Sequence, residues 1–221
     1  MTIHRLALSC FLLLFLSLGL PPTAVTDEFK ELTPALRERL AVIHQGTRSV
    51  QGDFEQEKRL SMFDRTFVSM GVFAVKQPGK IHWAYQEPSA FGFASDGEQV
   101  RRWNEHSGMS APSPLARDPI LSVIVDQMLA WSTMDAEKLE ASFTLAVPKT
   151  TPESTPETAP LTLELLPRTR QLAAVLQRVQ VSFDRDETHL QEIVLFEPDG
   201  DTTRIRFFNV RVNEDVSPGL F

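Results

Sequence analysis

The 221-residue sequence has a single cysteine, Cys10, which lies inside the N-terminal apolar run. Past that run no thiolate nucleophile, Cys-ligated zinc, iron–sulfur cluster or disulfide framework can be assembled. Cationic excess is also missing. Lys and Arg number 22 against 29 Asp and Glu, a net charge of −7, so there is no basic footprint for a phosphate backbone and no nucleic-acid partner is expected. The five histidines, His4, His44, His82, His106 and His189, include no pair at ligand spacing and no His-Glu-x-x-His. No metal is expected. Gly-x-Ser-x-Gly, Gly-x-Gly-x-x-Gly and P-loop patterns are absent, so no cofactor and no catalytic residue is assigned, although a dispersed hydrolase triad stays open as a rival.

Long apolar runs are scarce as well. The one present, Leu6 to Leu20, follows Arg5 and ends at Pro21-Pro22. Such a run falls short of the roughly 20 residues that a spanning helix needs. Residues 1–24 therefore read as a secretory signal peptide that is cleaved, with an uncleaved anchor and lipidation at Cys10 as alternatives. Cleavage near Ala24 removes the only thiol, which suits an oxidising compartment. The rest, 25–221, is expected to be a single domain.

What the remainder contains is mainly period-two patterning. Thr33-Pro34, then Leu36, Leu40 and Ile43, then Gly46, spell a capped amphipathic helix. From Val50 apolar and charged residues alternate, and further strands are expected over 66–76, 80–86, 90–95, 99–104, 141–147, 161–166, 177–184, 190–197 and 202–210. Short connections such as Gln77-Pro78-Gly79 and Asp96-Gly97 make neighbours antiparallel. The stretch 118–131 interrupts the strands with a helix start signal and little polar relief. It reads as a helix across the apolar face of the sheet, or, given its Val and Ile content, as a plain core helix or strand. Residues 148–160, rich in Pro, Thr and Glu, are expected to form a mobile surface loop. The carboxylates fall on outward strand positions or in turns, where solubility explains them.

Read in order, Val50-Gln51-Gly52-Asp53-Phe54-Glu55-Gln56, Gly71-Val72-Phe73, Gln77-Pro78-Gly79-Lys80-Ile81-His82-Trp83-Ala84-Tyr85, Glu87-Pro88 and Ser95-Asp96-Gly97 resemble the LolA-type family of periplasmic outer-membrane lipoprotein carriers. Leu163 to Pro167, Glu197 to Phe207 and Asn209 to Asn213 resemble the family's second half. The likeness runs over nearly all of 33–213, on motifs each of which is singly only a strand and a turn. It implies an α+β fold, mainly β: an incomplete, strongly curved antiparallel β-barrel of about ten or eleven strands, with a helical lid over an apolar concave face. It further implies a non-enzymatic periplasmic carrier that binds lipoprotein acyl chains. An inner-membrane exporter would be the donor and an outer-membrane receptor the acceptor, with the carrier acting as a monomer. A free lipid or lipid-linked product is the alternative cargo, and a protein-interaction module the alternative role.

Alternation places Ile81, Trp83 and Tyr85 on one side of their strand, and Phe73 with Val75 on one side of theirs. With the aromatic side taken as concave, Phe54, Phe73, Val75, Ile81, Trp83, Tyr85, Phe93 and Trp103 are the expected acyl-chain contacts, closed from the lid by Ile120, Ile124, Val125 and Met128. Any one of these residues has packing of a closed core as its other reading. The resemblance also implies a lid and transfer control point just before the Pro of the turn into the Trp strand. The family commonly has Arg there; this sequence has Gln77, with Lys80 as the nearby charge. Lys80 supplies a cation without the planar five-donor geometry of Arg.

Overall fold

A computed structural model describes residues 29–63, 65–149 and 160–221. The expected signal peptide and the core of the Pro/Thr/Glu loop, 150–159, lie outside the described residues. The chain opens with strand β1 (Phe29–Glu31) and helix α1 (Pro34–Gly46), whose first turn is capped by the Thr33 hydroxyl accepting from the Leu36 amide at 3.2 Å. Seven strands follow: β2 (Ser49–Leu60), β3 (Arg65–Lys76), β4 (Lys80–Glu87), β5 (Phe91–Ser95), β6 (Gln99–Asn104), β7 (Gly108–Met109) and β8 (Ser113–Pro114). Helices α2 (Pro119–Thr133) and α3 (Ala136–Ser142) then separate them from β9 (Phe143–Pro148) and β10 (Thr162–Pro167). The short helix α4 (Arg170–Ala173) precedes β11 (Arg178–Phe183), β12 (Leu190–Phe196) and β13 (Thr202–Val212).

All thirteen strands join one antiparallel sheet in the order β1-β9-β10-β11-β12-β13-β2-β3-β4-β5-β6-β7, with β8 also on β6. Among the described residues the two end strands do not pair, so the barrel is incomplete. Its midline joins chain ends: Thr202 to Val212 run against Val50 to Arg59. Register shifts at Met70/Gly71, Ser182/Phe183 and Phe208/Arg211 supply bulges, the local bends that curve a sheet. The expected strands are present, and the three additional ones, β1, β7 and β8, are too short to carry a periodic signal. The stretch from 118 is a helix because Asp118 caps it, accepting from the Leu121 amide at 2.9 Å, and Pro119 starts it. Where a strand was expected from 141, Ala141 and Ser142 instead complete α3, which Asp135 caps.

One face of the sheet, here called inner, packs against the helices in a continuous cluster. Its second-half portion is mainly aliphatic: Leu145, Leu163, Leu165, Val179 and Val181 are all buried, with Phe143 and Phe183 beside them. Its first-half portion is aromatic. Gly71 makes that portion possible, since a Cβ there would lie 2.1 Å from the Ala84 carbonyl oxygen and 2.5 Å from the Phe54 ring. The ring of Phe54 occupies that space instead.

Candidate functional site

Strand register delivers the aromatic set. Phe54 lies opposite Gly71 and Phe207, Phe73 opposite Trp83, and Trp83 opposite Phe93, so residues from β2, β3, β4, β5 and β13 share the inner face. Their rings are in contact. Phe54 stacks on Trp83 with centroids 4.1 Å apart and meets Tyr85 edge-on at 5.1 Å. Tyr85 stacks on Phe91 at 4.3 Å, and Phe73 meets Phe207 at 5.0 Å. Offset and edge contacts of this kind add about 0.5–1.5 kcal/mol each beyond area burial. The Tyr85 hydroxyl donates to Gln56 Oε1 at 2.8 Å, so the one phenol in the cluster is satisfied.

Helix α2 covers this face, in contact with β2 and β4. Val125 and Met128, expected from the sequence, are buried against the cluster, and Ile124 is half-buried at its margin. Ile120 belongs to the first turn of α2, and its side chain lies outside the described part of the structure. Leu121, Leu129 and Trp131 complete the buried side of the helix. The expected contacts Phe54, Phe73, Val75, Ile81, Trp83 and Tyr85 are all closed off from solvent here, with Trp83 4% exposed, while Phe93 is half-buried at the β5 margin. A groove of about 440 Å³ lies on the other face, lined by Asp53, Val72, His82, Arg211 and Leu220 among others.

Trp103 is not with the other aromatics. It pairs with Gly92, whose neighbours in register face outward, and it stacks on His82 at 5.2 Å on the outer face. The reason is Gly92: a Cβ there would be 2.6 Å from the indole, which lies over the bare backbone. His82 is itself partly covered by the C-terminal segment, its Nδ1 3.0 Å from the Leu220 carbonyl. Burial lowers the His82 pKa from its ordinary value, against the opposing pull of that hydrogen bond.

The lid's C-terminal end is tied to α1. His44 Nδ1 lies 2.9 Å from the Thr133 carbonyl, and Nε2 3.9 Å from Asp135 Oδ2. Gln77 acts one step further back: its amide donates to the Thr47 carbonyl at 2.6 Å and reaches the His44 carbonyl at 3.5 Å. At the other end Arg102 pairs with Asp118, the cap of α2. Gln77 thus bonds the end of α1 and not α2 itself, whereas the Lys80 ammonium lies over the Phe221 ring, 5.8 Å from its centroid. Glu197, Asp199 and Asp201 gather their carboxylates at one turn, but Lys58 pairs with Glu197 and lies 3.7 Å from Asp201, so the cluster is ion-paired.

Four contributors escaped the sequence reading. Trp131 follows Ile124 and Met128 at helical spacing, and Phe91 follows the alternation of Phe93, so both had a periodic signal. Phe207 and His44 had none, because their roles depend on pairing with distant parts of the chain.

Residues 45–221 match the family model described as outer membrane lipoprotein carrier protein LolA. Comparison with curated protein sequences gives no match. Among solved structures, an uncharacterized conserved protein of Thermus thermophilus aligns with a TM-score of 0.50 at 8% identity, over 84% of this chain and 92% of that one. An outer membrane lipoprotein-sorting protein domain from Vibrio parahaemolyticus aligns at 0.43 and 9% identity, over 84% of this chain and 94% of that one. MucB, in the MucA/MucB complex of Pseudomonas aeruginosa, aligns at 0.40 and 18% identity over 85% of this chain, which spans only 59% of the MucB chain's length.

Proposed function

The chain belongs to the LolA family of outer membrane lipoprotein carrier proteins, and from that premise we propose that it is a periplasmic carrier that takes lipoprotein acyl chains between the inner-face aromatics and helix α2. The family is periplasmic and its members bind and release without catalysis. No helix among the described residues is long and apolar enough to cross a membrane. The observation that carries the proposal is the cover on the aromatic face. Helix α2 is apolar on its buried side yet is held at its two ends by polar ties, Arg102 to Asp118 and His44 to Thr133. Releasing those ties exposes an apolar surface, and each acyl CH₂ placed on it returns about 0.8 kcal/mol, comparable to what a bilayer offers. Exchange with membranes at either end is then near balance, as a ferry between an inner-membrane exporter and an outer-membrane receptor requires.

The cover that α2 gives the aromatic face fits this reading, since an open apolar trough would be an aggregation hazard. Phe91, Phe93 and Ile124 form the half-buried margin where a chain would enter. Native mass spectrometry of protein purified from a periplasmic extract without detergent, followed by solvent extraction, tests the proposal. A discrete added mass identified as lipopeptide or lipoprotein is the expected result. Free lipid alone would move the cargo to a lipid, and bare protein that also refuses added lipid and lipopeptide would overturn the carrier reading.

A further inference from the structure

Three buried side-chain polar atoms have no hydrogen-bond partner among the described residues: Trp83 Nε1, Trp131 Nε1 and Gln127 Oε1. They are not scattered. Gln127 and Trp131 are four residues apart on α2, hence on one side of that helix, and Trp83 is on β4, the strand that α2 contacts. Several other buried polar side chains are paired. Tyr85 has Gln56, Thr133 donates to the Leu129 carbonyl, and Glu164 is held by Arg178 and Gln180. The unmet groups thus lie on α2 and on β4, two elements in contact.

Leaving a buried donor unmatched is costly, and Phe at 83 or 131 would supply an aromatic ring with no such demand. Hydrocarbon cannot answer it either. Resting on the carrier reading above, we propose that this contact recognises the carbonyl linkage at the head of an acyl chain: the indole N–H groups of Trp83 and Trp131 donate to its oxygen, and Gln127 Oε1 accepts from the N–H of an amide linkage. A carbonyl oxygen has two lone pairs and a secondary amide adds one donor, which matches two donors and one acceptor. An ester satisfies the indoles but not Gln127, and an alkyl ether offers the indoles only a weaker acceptor oxygen and Gln127 no donor. Acyl chains joined through an amide are thus the preferred class, esters next, and ethers last.

The test is competition for a fluorescent fatty-acid probe on the detergent-free protein, using an amide, an ester and an ether of one chain length. Wild type is expected to rank them amide, ester, ether, with about five- to tenfold between carbonyl-bearing and carbonyl-free ligands. Trp83→Phe and Trp131→Phe create the same cavity for all three ligands, so they are expected to weaken amide and ester several-fold more than ether. Gln127→Met is expected to narrow the gap between amide and ester. Equal binding of ether and amide by wild type, or an equal fall for all three ligands in both Trp variants, overturns the linkage proposal and leaves the carrier reading standing. Failure of wild type to bind any of the three overturns both.

Discussion

The two halves of the inner face are buried to the same depth on different terms. In the second half, Leu145, Leu163, Leu165, Val179 and Val181 are at most 2% exposed, and the buried carboxylate on that half's outer face, Glu164, accepts two bonds from Arg178 at 3.0 and 2.9 Å and one from Gln180 at 2.8 Å. Arg178 in turn lies 3.6 Å over the Phe196 ring. The polar demand there is met within the protein. In the first half, Phe54 and Trp83 are equally buried, yet among the described residues the Trp83 indole finds no acceptor, and neither does Trp131 on the helix above it. Low exposure alone does not distinguish a permanent core from a site that opens. Completeness of hydrogen bonding does, because an incomplete set gains from a ligand and a complete one does not.

The largest expected effect sharpens this contrast. Leu163→Ala should cost about 3–4 kcal/mol of stability by opening a cavity in the complete half, read by chemical denaturation, with acyl affinity per folded molecule unchanged. A parallel loss of affinity would erase the distinction between the halves. Glu164→Ala comes next, at about 2–3 kcal/mol, since it strands Arg178 and Gln180; the figure sits below that of a fully buried pair because the Arg178 side chain is 27% exposed. A neutral result in a thermal melt would show that the second half's polar set is not needed. Gln77→Leu removes the donor to the Thr47 carbonyl, for about 1 kcal/mol. Because that donor braces the end of α1 from which His44 holds the lid, faster acyl release in stopped-flow dye displacement is expected, and an unaltered release rate would separate Gln77 from lid control.

The smallest effect is in pH dependence. The His82 pKa is lowered by folding, so below about 6.5 the unfolded chain binds a proton that the folded one resists. Its contribution is therefore present above that pH and is lost as pH falls through the lowered folded value. Melting temperature should drop between about pH 7.5 and 5.5, either side of the ordinary His value, and His82→Gln should flatten the drop. An identical pH profile in the variant would show that the outer-face cover over His82 contributes nothing to it.

Much of the fold was readable because its signals are local. Alternation marked β2 and β4, and capping by Thr33 and Asp118 marked α1 and α2, each needing only a few neighbouring residues. Strands β7 and β8 escaped because two residues carry no period. For the site, Phe54, Phe73, Trp83 and Tyr85 were legible as one aromatic side, but Trp103 was misplaced: the register of β6 and the bare backbone at Gly92 turn it outward. No pattern within a single strand reports which face a neighbouring strand presents.

By itself the sequence determined the succession of elements, the curved open β architecture through its family motifs, and the apolar, aromatic character of the site. The first and last follow from residue type and short-range spacing, whereas the curved open architecture is what the resemblance to the family implies. Only the tertiary structure decided that Phe207 completes the aromatic set across β2 and β13, that His44 rather than Lys80 reaches the lid's end, and that two indoles, one on the lid and one on the sheet, lack acceptors among the described residues. Each of these depends on which distant groups are brought within hydrogen-bonding or ring-contact distance, and that is set by strand register and helix docking.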